Sequence, residues 1–297
     1  MLVSVIFIVR RVLQFEIDFG FDAAVWLGLF FTALGIALGI VFTAYFFWWL
    51  LRELSGIALD SGFVVKVYCL SNLYKYIPGG IMYVVGRNRL SLEIDELSHS
   101  KVLGATLLEG VFTALMAVAF AVLFSYEYFA YFLQEVSQIV WLVLGIGLVV
   151  GLAVLIVLRE PVARSLQEFA EGASGFSLRM LFWLLVRSLF VVVIMGGGFT
   201  VALMLLGQPV SASQFLLISS MYLLAWLAGF LTPGTSGGMG VREAAIIIIM
   251  GSFVDAGLLV SAAIVHRILN IAGDLMAYLI QFPLRYIIAR ALPLRST

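Results

Sequence analysis

The chain has 297 residues, of which 63% are hydrophobic and 11% are charged, and its mean hydropathy is +1.14. This composition excludes an ordinary soluble enzyme and predicts an integral membrane protein. A formal net charge of zero gives no electrostatic basis for binding nucleic acid, and one cysteine and two histidines predict no disulfide, no metal site and no cofactor.

Five apolar stretches are each about twenty residues long, which is the length that crosses the hydrocarbon core of a bilayer. They lie at 23–51, 102–124, 138–158, 180–206 and 257–283. Their polarity does not alternate as it would in barrel strands, so we expect helices. The preceding segment 1–11 is too short to span, which favours an interfacial helix or the remnant of a longer chain. The sequence predicts an all-α fold, a polytopic integral membrane helical bundle, as a single transmembrane domain over 1–297.

Basic residues mark the cytoplasmic side of a membrane protein. The connections 125–137 and 207–213 contain no lysine or arginine, so we expect both outside. The expected cytoplasmic segments contain Arg52, Arg87, Arg89, Lys101, Arg159, Arg164, Arg179, Arg285, Arg290 and Arg295. This pattern predicts a multi-pass protein with its C-terminus in the cytoplasm.

Two apolar stretches must enter and leave the membrane on one side for this orientation to hold. The stretch 63–86 lies between two cytoplasmic segments, and the stretch 214–252 lies between an outer loop and an outer turn near Asp255. We therefore expect two oppositely oriented re-entrant hairpins, the first from the cytoplasm and the second from outside.

The two hairpins share a sequence pattern. Pro78-Gly79 is followed nine positions later by Arg87, and Pro233-Gly234 is followed nine positions later by Arg242. Opposed hairpins that each precede a spanning helix are typical of inverted-repeat transporters with a site near the membrane midplane. The repeat halves would be 23–137 and 179–290; the alternative is that two Pro-Gly turns match by chance.

Non-helical backbone at membrane depth is tolerated only where protein covers it or a water-filled cavity bathes it. The helix breaks are therefore expected to line a polar cavity, and the half-helices after them present N-termini that suit an anion such as phosphate. The break residues are Pro78, Gly79, Gly80, Pro233, Gly234, Gly237, Gly238 and Gly240.

Charged side chains inside the apolar stretches must face the bundle interior and find partners. Glu109 lies eight residues beyond Lys101. Arg187 lies eight beyond Arg179, so Glu109 and Arg187 are both about 12 Å from the cytoplasmic ends and can form a salt bridge. The alternative is that such a pair only fixes helix packing. Arg242 is the other candidate partner for Glu109, and its guanidinium also suits a ligand phosphate.

The last apolar stretch carries a polar stripe, which favours the lining of a polar pathway, with interhelical hydrogen bonding as the alternative. The stripe consists of Arg267, Asn270, Asp274, Tyr278 and Gln281. His266 points away from it and is expected to pack. The first hairpin has a smaller set of the same kind, formed by Tyr68, Asn72, Lys75 and Arg87. Glu243 points away from its neighbour Arg242 and needs a partner of its own.

Four segments carry a resemblance that covers residues from about 20 to 290: PGTSGGMGVREAA, NLYKYIPGGIMYVVGRNRL, LLEG at Glu109, and HRILNIAGDLMAYLI. Together they resemble the lysylphosphatidylglycerol synthase/flippase transmembrane-domain family. By similarity, the motif positions are Pro233, Gly237, Gly238, Gly240, Arg242, Glu243, Glu109 and Arg267. Gly110 departs from the family pattern, in which an arginine usually follows the glutamate, so Arg187 or Arg242 is the expected partner of Glu109.

The resemblance implies a flippase-like protein in the plasma membrane of a prokaryote that moves aminoacylated phospholipid between leaflets. We expect a non-enzymatic flippase or translocase whose partners are membrane lipids with an anionic or modified head group. Because no P-loop is present, transport would be downhill or coupled to an ion or the membrane potential.

Two alternatives stay open at this point. One is an accessory partner of a separately encoded envelope glycosyltransferase or other envelope-lipid synthetic enzyme. The other is an intramembrane serine protease built on Gly234-Thr235-Ser236-Gly237 and His266, which is disfavoured because the turn needs glycines anyway. The lipid, the driving force and the oligomeric state do not follow from the sequence.

Overall fold

A computed structural model describes residues 22–76, 82–135, 177–232, 238 and 240–291, with side chains omitted at 127–135 and 285–291. Within these ranges the chain forms helices and no strand, as the fold-class prediction required. The helices are α1 Ala23–Ser55, α2 Ser61–Leu73, α3 Met82–Asn88, α4 Leu90–Glu93, α5 His99–Glu135, α6 Leu178–Leu205, α7 Ala212–Leu231, α8 Val241–Met250 and α9 Ala256–Ala291. A 3₁₀ turn, Tyr74–Tyr76, follows α2.

Polar residues set several of these boundaries. Asp22 accepts a hydrogen bond from Val25 N at 2.8 Å at the start of α1, and Asp60 accepts one from Phe63 N at 2.8 Å at the start of α2. Ser211 and Gln214 form a capping box on α7. Gly56 ends α1 at a φ of 69°, in the left-handed region that glycine adopts without strain. Local sequence therefore determines these helix ends.

Five helices are long and apolar enough to cross a membrane, namely α1, α5 up to Tyr126, α6, α7 and α9 up to Leu284. Four of them coincide with predicted stretches, and the predicted stretch 138–158 lies outside the described residues. The fifth, α7, belongs to the stretch predicted as a hairpin, and its 20 residues are enough to span. The structure thus confirms a multi-pass helical membrane protein.

Helix α1 packs against two other spanning helices. It runs parallel to α9, because Ala33 packs near Leu269 while Val41 packs further along near Ala277. It runs antiparallel to α6, since a methyl group at Gly28 would lie 2.6 Å from Leu205 and one at Gly39 would lie 2.6 Å from Ile194. These glycines let the helices approach closely.

The remaining spanning helices follow α6. Helix α5 runs parallel to it, with Glu109 beside Arg187 and Ala117 beside Val192. Helix α7 returns antiparallel to α6, with Thr200 Oγ1 2.8 Å from Ser219 Oγ. Basic residues gather at one end of the bundle, which we call the basic end: Arg52 of α1, Lys101, whose Nζ donates to Ser55 O at 3.2 Å, and Arg179, which lies over Trp49.

Two helical hairpins complete the fold. The first hairpin consists of α2, the turn and α3; it begins at the basic end, where Trp48 donates to Leu59 O at 2.8 Å. The second hairpin consists of α7 and α8 and begins at the opposite end, beside Leu205. The two hairpins therefore start from opposite ends of the bundle.

The described part of the second break confirms that the helix is interrupted there. Gly238 and Gly240 have φ values of 75° and 87°, which glycine adopts without strain and other residues do not. A methyl group at Gly238 would also lie 2.7 Å from Gly229 Cα, so α7 meets the returning chain backbone to backbone. The other predicted break residues, Pro78, Gly79, Gly80, Pro233, Gly234 and Gly237, lie outside the described residues.

Candidate functional site

The buried carboxylate of Glu109 lies between two arginines. Arg87 Nη1 of the first hairpin is 2.8 Å from Glu109 Oε2, and Arg187 Nη2 of α6 is 3.3 Å from Glu109 Oε1. The side chains of Glu109, Arg87 and Arg187 are only 3%, 6% and 8% exposed. We call these three residues the Glu109 cluster; they join α3, α5 and α6 inside the bundle.

Further contacts fix both arginines of the Glu109 cluster. Arg87 donates to Asn72 Oδ1 at 3.1 Å and lies 3.9 Å from the centre of the Tyr68 ring. Arg187 donates to the carbonyl oxygen of Glu109 at 3.2 Å. Of the two partners considered for Glu109, Arg187 therefore contacts it. The sequence did not identify Arg87 as a partner, because no pattern fixes how the chain between α2 and α3 returns.

Asp274 of α9 binds the end of the first hairpin. Its Oδ2 atom lies 2.6 Å from Lys75 Nζ and accepts a hydrogen bond from the Tyr76 hydroxyl at 2.5 Å. The Asp274 side chain is fully buried, whereas that of Lys75 is 36% exposed. Lys75 lies just before the first break, so this ion pair attaches the tip of the first hairpin to α9.

Arg267, also on α9, binds the start of the returning arm of the second hairpin. Its Nε and Nη2 atoms lie 2.8 and 2.7 Å from Glu243 Oε1. Glu243 Oε2 accepts a hydrogen bond from Gly240 N at 2.7 Å and so caps α8. The two side chains are 18% and 22% exposed. The N-terminus of α8, predicted to be open to a ligand anion, is thus capped by its own glutamate.

These two ion pairs lie close together along α9. Asp274 is seven residues after Arg267, which corresponds to about 10 Å of rise. We call the four residues Lys75, Asp274, Glu243 and Arg267 the α9 charge row. The α9 charge row brings the breaks of the two hairpins to neighbouring levels of one helix.

Arg242 adds a positive charge beside the α9 charge row. Its Nη1 atom donates to the Tyr222 hydroxyl at 3.1 Å, so it points away from Glu243, as the sequence required. Burial raises the pKa of the Tyr76 phenol and Asp274 raises it further, while Arg242 and Arg267 oppose the shift. The cations of the second hairpin therefore act on the tip of the first.

The other stripe residues of α9 have different surroundings. Asn270 donates to the His266 carbonyl at 2.7 Å, within its own helix, and Tyr278 packs into the apolar cluster between α1 and α2. Gln281 is fully buried, and neither of its amide atoms has a hydrogen-bond partner in the described part of the chain. Only part of the predicted stripe thus lies at the hairpin breaks.

His266 is a packing residue, as expected. It is 2% exposed and makes edge contacts with the rings of Tyr222 and Phe199 at 4.9 and 5.9 Å. A methyl group at Gly198 would lie 3.2 Å from its Nε2 atom. Ser236, the other residue of the protease alternative, lies outside the described residues. Among the described residues, no group of three or more histidine, cysteine, aspartate or glutamate side chains is arranged to hold a metal.

The charges of the site do not balance. The Glu109 cluster, the α9 charge row and Arg242 contain five cations and three carboxylates, which leaves two positive charges in excess. The break segments 77–81 and 233–239 contain no charged residue that could offset them. Excess charge in the membrane interior is costly unless a counter-ion accompanies it. The arrangement is therefore suited to an anion.

The level of the site within the bundle follows from its neighbours. A methyl group at Gly110 would lie 3.9 Å from Phe230 Cζ, near the end of α7. Gly110 is eleven residues after the first residue of α5, or about 17 Å along that helix. Asp274 is ten residues before Leu284, or about 15 Å from the end of the spanning part of α9. Both hairpin tips thus lie well inside the lengths of their neighbours.

The chain was compared with protein-family models and with curated proteins. No family model matches it, and no curated protein does. The family resemblance therefore depends on the sequence motifs alone.

Proposed function

We propose that this protein moves the anionic head group of a lipid between the leaflets of a membrane, with the head group passing between the two hairpin breaks beside α9. The observation that carries the proposal is the excess of two positive charges at side chains that join both hairpins to one spanning helix. A phosphate is the anion that lipids most often carry, and arginine and lysine both bind it.

Partial exposure of the α9 charge row supports this proposal. Lys75 is 36% exposed and Arg267 is 18% exposed, although both lie well inside the bundle. Contact of a charged group with lipid tails at that depth would cost about 2.5–3.5 kcal/mol on insertion scales. Water or an anionic head group removes this cost, so a polar space beside the α9 charge row is favoured over direct contact with lipid tails.

The Glu109 cluster has a different role in the proposal. Its side chains are almost fully enclosed, and each arginine already has several partners. A ligand would have to displace these contacts to reach Glu109. We therefore assign the Glu109 cluster to the attachment of α3 and α6 to α5, and the α9 charge row with Arg242 to the head group.

The opposed hairpins support an alternating arrangement around a central site. The first hairpin starts at the basic end and the second at the opposite end, and both are bound by α9 near their breaks. This is what the predicted repeat halves 23–137 and 179–290 require, with re-entrant hairpins entering from the two faces. Movement of either tip away from α9 would open the site to one side.

The proposed location is the plasma membrane of a prokaryote, with the basic end in the cytoplasm. Arg52, Lys101 and Arg179 lie at that end, and α9 runs toward it, so its C-terminus would also be cytoplasmic. An envelope-lipid synthetic enzyme that supplies the lipid is the partner we propose.

Reconstitution tests this function. The purified protein is placed in vesicles of phosphatidylethanolamine and phosphatidylglycerol that contain a trace of fluorescently labelled phosphatidylglycerol, and dithionite bleaches the outer leaflet. We expect bleaching of the inner-leaflet label to be faster than in protein-free vesicles, slower for Lys75→Gln, and unchanged for Arg89→Gln, whose side chain is 59% exposed. If every anionic lipid tested stays on one side, the proposed function is wrong.

A further inference from the structure

A buried polar side chain on α9 has no part in the site described above. Gln281 is fully enclosed, and both atoms of its amide have no hydrogen-bond partner in the portion of the chain that the structure describes. Asp274 lies seven residues earlier on the same face, and its Oδ1 atom is also buried without such a partner there. Buried polar groups of this kind are usually satisfied by ordered water.

We propose that Asp274 is a proton-binding site, supplied from the basic end of the bundle through water molecules held along α9 by Gln281. The rise between the two residues is about 10 Å, which is too long for a direct hydrogen bond and fits a short chain of roughly three waters. Gln281 is three residues before the end of the spanning part of α9, so the chain of waters opens at the basic end. An amide both donates and accepts, so it can hold water in either orientation.

Protonation of Asp274 would change the charge at the tip of the first hairpin. A proton from water at the basic end bonds to the free Oδ1 atom and converts the carboxylate into a neutral acid, with no change in oxidation state. Lys75 then loses its ionic partner while Asp274 Oδ2 can still accept from Tyr76. The excess positive charge of the site rises from two to three, and an anion at Lys75 is the group that offsets it.

Proton and anion binding are then linked in both directions. A proton on Asp274 makes Lys75 a better anion site, and an anion at Lys75 favours the proton by the same factor. This coupling rests on the proposed function, whereas proton binding itself does not. It would supply the driving force that a chain without a nucleotide site needs.

Few other groups compete for this role. Helix α6 packs on α9 here through Ile194 and Ala202, which do not titrate. The titratable and charged groups around Asp274 and its partners are Lys75, Tyr76 and Cys69 of the first hairpin, Tyr45 of α1, Arg242 and Glu243 of the second hairpin, and Arg267 and Tyr278 of α9. Among the described groups, Lys75 is the one that forms an ion pair with Asp274, so protonation releases its charge.

Infrared difference spectroscopy on the full-length protein in lipid nanodiscs tests proton binding directly. Between alkaline and acidic buffer, we expect the carbonyl band of a protonated carboxyl group to appear in the native protein, to be absent in Asp274→Asn, and to be retained in the control Asp255→Asn. Gln281→Leu should keep the band but slow its exchange with deuterium about tenfold, equivalent to roughly 1.4 kcal/mol in the barrier. Gln208→Leu is the matched control. Absence of an Asp274-dependent band, or unchanged exchange in Gln281→Leu, overturns the inference.

Coupling is tested in the vesicles with labelled phosphatidylglycerol. Acidification at the basic end should speed lipid movement in the native protein, whereas Asp274→Asn should move lipid at a rate that does not depend on pH. An Asp274 band without any lipid movement leaves proton binding standing and rejects the proposed function. Lipid movement with the same pH response in Asp274→Asn rejects the coupling alone.

Discussion

Arg267 of α9 and Glu243 of α8 form a double contact, in which Nε and Nη2 of the arginine lie 2.8 and 2.7 Å from one carboxylate oxygen. The other carboxylate oxygen accepts the N–H of Gly240 at 2.7 Å. A single glutamate thus connects a spanning helix to the backbone at the second break. This contact holds the returning arm of the second hairpin at a fixed level on α9.

The contribution of this pair can be separated by a double-mutant cycle. Glu243→Gln alone leaves Arg267 without its anion and removes part of the α8 cap, so we expect it to lower the thermal unfolding midpoint in detergent. The double variant Glu243→Gln with Arg267→Gln should be less destabilised than the sum of the two single variants, by about 1 kcal/mol or more of coupling. Purely additive effects would show that the two side chains act independently.

Loss of the Glu109 carboxylate should be more damaging. Glu109→Gln leaves Arg87 and Arg187 buried side by side without their shared anion, and breaking a buried pair in this way costs roughly 3–5 kcal/mol. We expect a strong fall in folded yield and in the thermal unfolding midpoint. The matched control is Glu93→Gln, because Glu93 pairs with Arg89 on the surface, where such pairs contribute about 0.3–0.5 kcal/mol. Equal effects of the two substitutions would contradict the assignment.

Glycine is required at the contact between α7 and the second break. Gly238→Ala places a side chain 2.7 Å from Gly229 Cα at a φ of 75°, and the backbone conformation alone costs roughly 1–3 kcal/mol. Gly35→Ala on α1 is the control, since a methyl group there meets nothing within 4 Å and the helix gains up to about 1 kcal/mol. The unfolding midpoint should fall for the first variant and not for the second. A tolerated alanine at 238 would mean that the close contact is not maintained.

The all-α fold and four of the spanning helices followed from the sequence, because apolar length is a local property. The partners of the deep charges followed less well. Glu109 was placed level with Arg187 by counting residues, but Arg87 reaches it only because α3 returns alongside α2, and no local pattern fixes that return. The polar stripe of α9 was predicted as one surface, yet Asn270 bonds to its own helix and Tyr278 packs in an apolar cluster. Side-chain direction depends on the helices packed around α9.

The single native cysteine does not interfere with thiol labelling. Cys69 is fully buried on α2. Burial, with a contribution from Asp274, raises the pKa of the Cys69 thiol to about 12, while Arg87 lowers it. Because the thiolate is the reactive form, the native protein should not react with a membrane-impermeant thiol reagent near neutral pH. Labelling of the folded native protein at neutral pH would contradict this burial.

An introduced cysteine can then distinguish a polar space from lipid at the tip of the first hairpin. Lys75 is 36% exposed and Leu185 of α6 is 41% exposed, so the two positions differ in surroundings rather than in coverage by protein. In vesicles, a water-soluble aminoethyl thiosulfonate should modify Lys75→Cys, because water reaches the α9 charge row, and the product restores a cation beside Asp274. It should not modify Leu185→Cys, which faces lipid tails, since thiolate does not form there. We expect mass spectrometry to show a rate for Lys75→Cys at least about tenfold higher, equivalent to roughly 1.4 kcal/mol in the barrier. If both cysteines resist the reagent in vesicles but react in detergent, lipid tails cover Lys75 and the proposed head-group site does not exist.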